Sequence, residues 1–414
     1  MPKTSQSPRL PFLQNLRHVP ALQYRDFRLL WVSSFFKSLG FNADQVVLGW
    51  LVLDLTNDPL WVGIAYGLRA APNFFLGIIA GAVADHFDRR KLLPGLGLGF
   101  AALSVALGVL VWSNALQVWH LLAFALLVGA INPLNQTTQQ SFAYDIVGSQ
   151  GALNGLSFMG LSQRLGGAVG ALAVGWTITP LGAHVAYALM AVAHVLGAVV
   201  LLYVRSSGQA APQHHNPVLA NLKEYFKAAS HNPTLLLLVA LTGLVEMLGF
   251  SYQALMPSLA RDILRVGPGG LGVMSAVRSA GGIAGIILLS AMGEVRRKGW
   301  MLFGVLVVMG LSLIVMGLTP GFTALLIILL AVSAAGTLSD ILTQTLVQLA
   351  VPNDLRGRAM GSWILAIGMG PVGQMQIGAV AAVLGLGAAL IINGTVLILL
   401  AGATAVLFPR IRRL

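Results

Sequence analysis

The sequence predicts an all-α membrane protein whose twelve transmembrane helices form two six-helix bundles related by a pseudo-two-fold axis. Composition is the first observation behind this prediction. Of the 414 residues, 57% are hydrophobic and 9% are charged, and the mean hydropathy is +0.81. Average soluble domains carry about 25% charged residues. A chain this apolar cannot cover a surface that faces water, so its solvent is lipid.

The second observation is a series of apolar segments that are long enough to cross a bilayer, which takes about 20 residues. The predicted spans are 28–53, 60–84, 92–112, 118–142, 152–177, 183–204, 234–260, 268–292, 299–318, 321–349, 358–383 and 386–408. They divide the chain into a cytoplasmic N-terminal segment, an N-terminal bundle, a cytoplasmic linker, a C-terminal bundle and a cytoplasmic tail: residues 1–27, 28–204, 205–232, 233–408 and 409–414.

The third observation is the distribution of positive charge. Nineteen of the 25 Lys and Arg residues fall on one side of these spans, Arg261 and Arg265 fall on the other side, and four lie inside spans. Such an excess marks the cytoplasmic side, so both termini are expected there. The basic residues form short clusters between apolar spans and leave no basic face, so the net charge of +12 does not indicate nucleic-acid binding.

The sequence lacks the residue patterns that are typical of metal, disulfide and nucleotide sites. The chain has no Cys, which excludes disulfides and thiolate metal sites. The eight His residues form no cluster with metal-ligand spacing, and no Walker-type phosphate loop is present. We therefore expect no metal, no cofactor, no ATP-driven step and no enzymatic activity.

The two halves of the chain carry a weak internal repeat. Arg69 in the second span corresponds to Arg278 in the eighth, and Thr138-Gln139 in the fourth span corresponds to Thr343-Gln344 in the tenth. Weak parallel similarity between two six-span halves is typical of transporters that are built from two repeated bundles.

A motif follows the second span. The segment Gly77–Lys91 reads GIIAGAVADHFDRRK. Its spacing resembles the signature in the loop between the second and third spans of the major facilitator superfamily. The resemblance implies a cytoplasmic gate that locks the two bundles together. Its residues are Gly81, Asp85, Arg89 and Arg90, with Arg356 and Arg358 at the start of the eleventh span. The signature's usual Gly, which adopts a left-handed turn, is replaced by Asp88, which tolerates that conformation better than most residues.

Other motifs narrow the resemblance to one branch. The run VPNDLRGR ends at Arg358, RLGG begins at Arg164, and GMGPVG begins at Gly368. They look like motifs of the enterobactin exporters, macrolide-efflux proteins and related drug:proton antiporters. The resemblance implies a monomer in the bacterial inner membrane that works by alternating access. It also implies proton-coupled export of an amphipathic or anionic small molecule of the drug or siderophore type.

Seven residues of the Asp, Glu, Lys and Arg types lie in the interior of predicted spans, where a charge costs about 2.5–3.5 kcal/mol on insertion scales. Such residues usually face a bundle interior or a water-filled cavity. The acids are proton-coupling candidates: Asp44, Glu246 and Asp340. The bases and amides are candidates for lining a central substrate cavity: Lys37, Arg69, Arg164, Arg278, Asn132, Gln136, Gln139 and Gln344. Each also has a purely structural interpretation as a static ion pair or a bridge between helices.

Alternatives remain at this stage. The same fold could serve a gradient-independent facilitator, an importer or a lysolipid flippase. A non-transporting membrane sensor or scaffold is the alternative of another class, because fold alone does not decide function.

Overall fold

The computed structural model describes residues 20–208, 232–292, 295, 297–318, 321–351 and 356–413, and every regular element in them is helical. The N-terminal half, residues 20–208, contains α1 Pro20–Gln23, α2 Arg25–Thr56, α3 Pro59–His86, α4 Arg89–Trp112, α5 Val118–Leu181 and α6 Ala183–Leu202. The C-terminal half, residues 232–413, contains α7 Pro233–Gly249, α8 Gly267–Met292, α9 Lys298–Leu318, α10 Phe322–Leu349, α11 Arg356–Ile367, α12 Gly370–Leu384, α13 Leu386–Leu407 and α14 Pro409–Arg413.

The outer surface of the molecule is that of a membrane protein. Among the described residues, nine helical stretches are long and apolar enough to span a bilayer. Large apolar side chains on their outer faces, such as Trp112, Val383 and Val406, keep more than two-thirds of their surface exposed. In water a surface this apolar would aggregate, whereas lipid tails cover it at no cost.

The helices differ from the predicted spans in three regions. The fourth and fifth spans form the single helix α5, which kinks at Gly148 with φ 68° and ψ 178°. That backbone conformation is accessible in practice to glycine alone. The predicted span 234–260 leaves regular α-helix after Gly249 and continues as short 3₁₀, α and π turns to Ile263. The predicted span 358–383 is divided between α11 and α12 at residues 368–369.

The helix directions define two ends of the molecule. We call the end that carries Thr56 and Gly267 the closed end, and the end that carries Arg89, Leu202 and Lys298 the basic end. At the closed end the two halves are in direct contact. Arg261 of the C-terminal half donates a hydrogen bond from Nη1 to the carbonyl oxygen of Leu53, 2.7 Å away.

Glycines allow this close contact between the halves. Gly175 of α5 packs against Pro268 and Gly272 of α8, and Gly63 of α3 packs against the backbone of α12 at Gly378. A methyl group at Gly175 or Gly63 would overlap backbone atoms of the other half. Small residues at helix crossings let membrane helices pack backbone to backbone, which is the main source of their association.

Candidate functional site

A buried ion pair lies inside the N-terminal half. Arg69 on α3 places Nε 3.1 Å from Oδ2 of Asp44 on α2, and each side chain is at most 10% exposed. Arg69 also donates from Nη2 to the carbonyl oxygen of Phe41 at 2.6 Å, and its guanidinium carbon lies 4.1 Å from the centre of the Phe41 ring. The Nε contact has ion-pair distance without hydrogen-bond alignment, and neither Asp44 oxygen accepts a hydrogen bond from the described residues. This carboxyl can therefore gain or lose a proton without dismantling a hydrogen-bond network.

The C-terminal half carries an equivalent pair with one chemical difference. Arg278 on α8 donates from Nη1 to Oε1 of Gln253 at 2.8 Å. An offset of 209 residues relates Arg69 to Arg278, and the same offset relates Asp44 to Gln253. Each half thus places an arginine against a polar side chain of the equivalent segment. The partner is a titratable acid in the N-terminal half and a non-titratable amide in the C-terminal half.

A local repeat that contains these partners was missed from the sequence. The segment KSLGFNADQ begins at Lys37, and EMLGFSYQA begins at Glu246 at the same offset. The shared Leu-Gly-Phe gives the register. In this repeat Lys37 corresponds to Glu246, so equivalent positions of the two halves carry opposite charges. This signal could have been found by aligning the first span with the seventh.

The two arginine sites are joined across the halves. Arg278 donates from Nη2 to Oε1 of Gln45 at 3.3 Å, and Gln45 directly follows Asp44 on α2. The carbonyl oxygen of Gln45 accepts a hydrogen bond from the hydroxyl of Tyr66 at 2.7 Å. A change in the charge of Asp44 therefore occurs beside a hydrogen bond that joins the two halves.

A second charged cluster lies between the halves. Arg164 on α5 reaches across to α8, where its Nη1 occupies the space that a methyl group at Gly282 would need. It lies within electrostatic range of Arg278 and of Asp340 on α10. Glu246 lies within electrostatic range of Asp340 in turn. Arg164 is thus linked electrostatically to Arg278 and to Asp340, and Asp340 to Glu246.

Lys37 has different surroundings. The structure places it in a pocket between four helices of the N-terminal half rather than with Arg164 and Arg278. The pocket is lined by Ser33, Lys37, Leu93, Gly97, Asn135, Gln139, His194, Gly197, Ala198 and Leu201. Gln139, which we expected in a central cavity with Lys37, lies in the same pocket. Asn135 and His194 were not singled out from the sequence, because single polar residues in apolar helices carry no spacing signal.

The remaining amide candidates differ in exposure. Asn132 is buried, Gln136 is exposed and Gln344 is half-buried. The predicted stripe of fourth-span amides is therefore split between a buried set, with Asn135 and Gln139, and an exposed side chain at Gln136.

At the basic end, the structure corrects one expectation about the gate motif. Asp88 has φ −62° and ψ 110°, so the expected left-handed turn is wrong. Its side chain instead accepts a hydrogen bond from the backbone nitrogen of Arg90 at 2.9 Å and caps α4. A cap needs extended backbone geometry, which Asp adopts readily.

The basic residues of the motif are placed as follows. Arg89 forms an ion pair with Asp145 at 2.5 Å, inside the N-terminal half. Arg90 is exposed. Gly81 and the side chains of Asp85, Arg356 and Arg358 lie outside what the structure describes, so the expected lock between the halves stays a prediction.

The geometry of the site defines a class. Buried, paired charges on membrane helices, at and beside the contact between two repeated halves, are typical of a membrane transporter. In the described part of the chain, no group of three or more His, Asp or Glu could hold a metal ion. Residues 18–414 match a family model described as transmembrane secretion effector. The chain belongs to this family of major facilitator superfamily transporters, whose members are not enzymes.

Relatives and solved structures agree with this assignment. The enterobactin exporter EntS of Salmonella choleraesuis is 24% identical over 393 residues, which cover 91% of this chain and 92% of the exporter. The staphyloferrin A transporter of Staphylococcus aureus is 23% identical over 261 residues, and the match covers 62% of this chain and 65% of that transporter.

The fold is shared with distant transporters. The peptide transporter POT superimposes with a TM-score of 0.79 at 15% identity, covering 94% of this chain and 95% of POT. A bacterial homologue of the human lysosomal transporter Spinster, in an inward-facing and unoccupied conformation, has a TM-score of 0.71 at 15% identity, covering 94% and 97% of the two chains. At these identities the likeness shows the fold alone.

Proposed function

We propose that this protein is a proton-coupled exporter of an anionic or amphipathic small molecule of the siderophore type, working by alternating access. One observation carries the proton coupling: the N-terminal arginine faces a titratable acid at 3.1 Å, where its repeat-equivalent in the other half faces an amide. Gln253 occupies the position in the C-terminal repeat that Asp44 occupies in the N-terminal repeat. The main chemical difference between the two sites is that the carboxyl of Asp44 can bind and release a proton and the amide of Gln253 cannot.

The proposed topology has twelve crossings. Nine come from the apolar stretches already described, and α2, α3 and the part of α5 beyond Gly148 would supply the other three. The positive-inside pattern supports placing the basic end and both termini in the cytoplasm of a bacterial inner membrane. The closed end would then face outward. We propose that the protein acts as a monomer.

Coupling follows from the position of Asp44. Protonation of Asp44 on α2 removes the counter-charge of Arg69 on α3. Arg69 also donates a hydrogen bond to the carbonyl oxygen of Phe41, which is on α2 with Asp44. The adjacent Gln45 is bonded across the halves to Arg278. A proton on Asp44 would therefore weaken the contacts of α2 with α3 and α8 together, and so bias the equilibrium between the two conformations.

Substrate recognition is assigned to the cluster between the halves. Arg164 and Arg278 present two guanidinium groups there, and guanidinium is well suited to bind carboxylate or catecholate oxygens. Asp340 and Glu246 balance these charges when no substrate is bound. The similarity to exporters and transporters of enterobactin and staphyloferrin A supports a siderophore-type substrate.

Everted membrane vesicles with an acidic interior test this function. With enterobactin as the probe, the wild-type protein should accumulate it inside the vesicles, and nigericin, which collapses the pH gradient, should abolish accumulation. Asp44→Asn should lose accumulation and keep exchange of enterobactin across the membrane. Asp54→Asn, an exposed acid on the same helix, is the matched control and should behave as wild type. Accumulation that ignores nigericin would refute proton coupling, and equal accumulation by Asp44→Asn would refute the role of this residue.

A further inference from the structure

Three glycines lie within five residues of one another on α8, and two of them pack against α10. A methyl group at Gly281 would lie 2.6 Å from the carbonyl oxygen of Leu330. A methyl group at Gly285 would lie 2.7 Å from the carbonyl oxygen of Ala334. Both glycines therefore allow backbone contact between two helices of the C-terminal half, as small residues commonly do in membrane proteins.

Gly282, the third of these glycines, faces the N-terminal half. The guanidinium of Arg164 occupies the space of a methyl group at Gly282, and its Cζ lies 2.8 Å from the position of that methyl group. Oγ1 of Thr337 lies 3.1 Å from the same position, and all three nearest atoms belong to side chains. The space beside Gly282 is thus filled by the flexible end of a charged side chain rather than by backbone.

Arg164 lies where α5 and α8 separate. Gly160, Arg164 and Gly175 share one face of α5, because their spacings of four and eleven residues are close to whole helical turns. Near the closed end, Gly175 contacts the backbone of α8 at Gly272. Nearer the basic end, no described atom outside the local helix lies within 4 Å of a methyl group placed at Gly160. Between these two positions, the long side chain of Arg164 spans the gap.

Arg164 and Arg278 both have hydrogen-bond donors to spare. In the part of the chain that the structure describes, the half-buried Arg164 makes no hydrogen bond. Arg278 lies four residues before Gly282, on the same face of α8. Two of the five N–H groups of Arg278 donate to amide oxygens, of Gln253 and Gln45, and three remain. The two guanidinium groups, one from each half, are within electrostatic range of each other, so an anionic group between them would be stabilised by both.

We infer that Gly282 is a positioning residue for substrate binding. Because it lacks a side chain, it lets the guanidinium of Arg164 lie against α8 near Arg278, where both guanidinium groups bind an anionic group of the substrate. A methyl group at Gly282 displaces the guanidinium of Arg164 and preserves the fold, because the atoms that it meets can rotate away. This inference rests on the proposed assignment of substrate to the cluster between the halves.

Unfolding temperatures in detergent test whether Gly282 differs from its neighbour. Gly282→Ala should unfold close to the temperature of wild type. Gly281→Ala should unfold at a clearly lower temperature, because its methyl group meets backbone that cannot rotate away. A loss in Gly282→Ala as large as that in Gly281→Ala would overturn the inference, because Gly282 would then be a packing residue.

Isothermal titration in detergent, with enterobactin and with citrate as probes, measures binding. Gly282→Ala should bind about tenfold more weakly than wild type, which is the effect of losing one charge-assisted hydrogen bond. Gly304→Ala on α9 is the matched control and should bind as wild type, since no described atom outside the local helix lies within 4 Å of its methyl group. Wild-type affinity in Gly282→Ala would overturn the inference, and so would a wild type that binds neither probe.

Arg164→Lys tests whether the effect of the methyl group passes through Arg164. Lysine keeps the positive charge, but its side chain is one atom shorter and lacks the planar guanidinium. Its amine should therefore stop short of the space beside Gly282. Adding Gly282→Ala to Arg164→Lys should weaken binding much less than tenfold. A full tenfold loss in this background would show that Gly282 acts independently of Arg164 and would overturn the inference.

Transport of enterobactin into everted vesicles separates positioning from coupling. Gly282→Ala should raise KM about tenfold and leave the maximal rate unchanged, because it alters substrate binding and leaves the Asp44–Arg69 pair intact. A lower maximal rate with an unchanged KM would contradict a positioning role. Enterobactin accumulation that ignores nigericin would refute the proposed proton coupling, and the binding comparison would still decide the role of Gly282.

Discussion

Breaking the Asp44–Arg69 pair in two different ways should have very different effects on stability. Asp44→Leu leaves the guanidinium of Arg69, which is 9% exposed, without a counter-charge. Removing one partner of a buried ion pair typically costs about 3–5 kcal/mol. Asp44→Asn also removes the counter-charge, but it keeps an oxygen that can accept a hydrogen bond from the guanidinium, as Gln253 does for Arg278 at 2.8 Å. We expect it to cost about 1.5 kcal/mol or less, the range of a single hydrogen bond.

Thermal unfolding in detergent, followed by fluorescence of the eight Trp residues, measures both variants. Asp44→Leu should unfold at a clearly lower temperature than Asp44→Asn. Adding Arg69→Met to Asp44→Leu should recover most of the loss, because replacing both members of a buried pair by apolar residues is often neutral. Equal unfolding temperatures for the two single variants would show that Arg69 does not depend on Asp44. A double variant less stable than Asp44→Leu would contradict the reasoning as well.

Three further predictions concern the two ends of the molecule. Arg261→Ala removes the hydrogen bond to Leu53 and should increase the open fraction of the closed end severalfold, measured by spin-label distances; an unchanged distribution would contradict this role. Gly272→Val should prevent backbone contact with Gly175 and hold the closed end open. Because the chain has no native Cys, a single cysteine introduced at the closed end reports this opening: its labelling by a polar thiol reagent should rise, and unaltered labelling would argue against that contact. Burial alone would raise the pKa of Asp26, but hydrogen bonds from the segment after α6 outweigh it and leave the pKa below its usual value. Its stabilising effect is therefore complete above the unfolded-state pKa of about 3.9 and is lost as pH falls through the lower folded value. Asp26→Asn should have a lower unfolding temperature than wild type at neutral pH. Its unfolding temperature should then fall less than that of wild type on acidification.

The composition and charge pattern were sufficient to predict an all-helical membrane transporter and the extent of most helices. These properties depend on bulk transfer of side chains between water and lipid, which acts on each segment separately. The kink at Gly148 and the break before Gly370 were not predicted. Each depends on one or two residues whose effect is set by neighbouring helices rather than by local composition.

Individual polar residues were predicted better than their partners. Asp44, Arg69 and Arg278 were all selected from the sequence, because a charge in an apolar span is rare. Their pairing depends on the rotation of each helix about its axis, which hydropathy does not fix. Lys37 shares a helix face with Asp44 in sequence, yet faces a pocket inside the N-terminal half, because α4 and α6 close over that part of α2.

Proton movement in proteoliposomes tests the central claim, that Asp44 carries the proton which drives export. A pH-sensitive dye trapped inside the vesicles reports protons while enterobactin is moved across the membrane by its own gradient. We predict that wild type moves protons opposite to enterobactin, and that Asp44→Asn exchanges enterobactin without moving protons. Proton movement by Asp44→Asn equal to that of wild type would contradict the account.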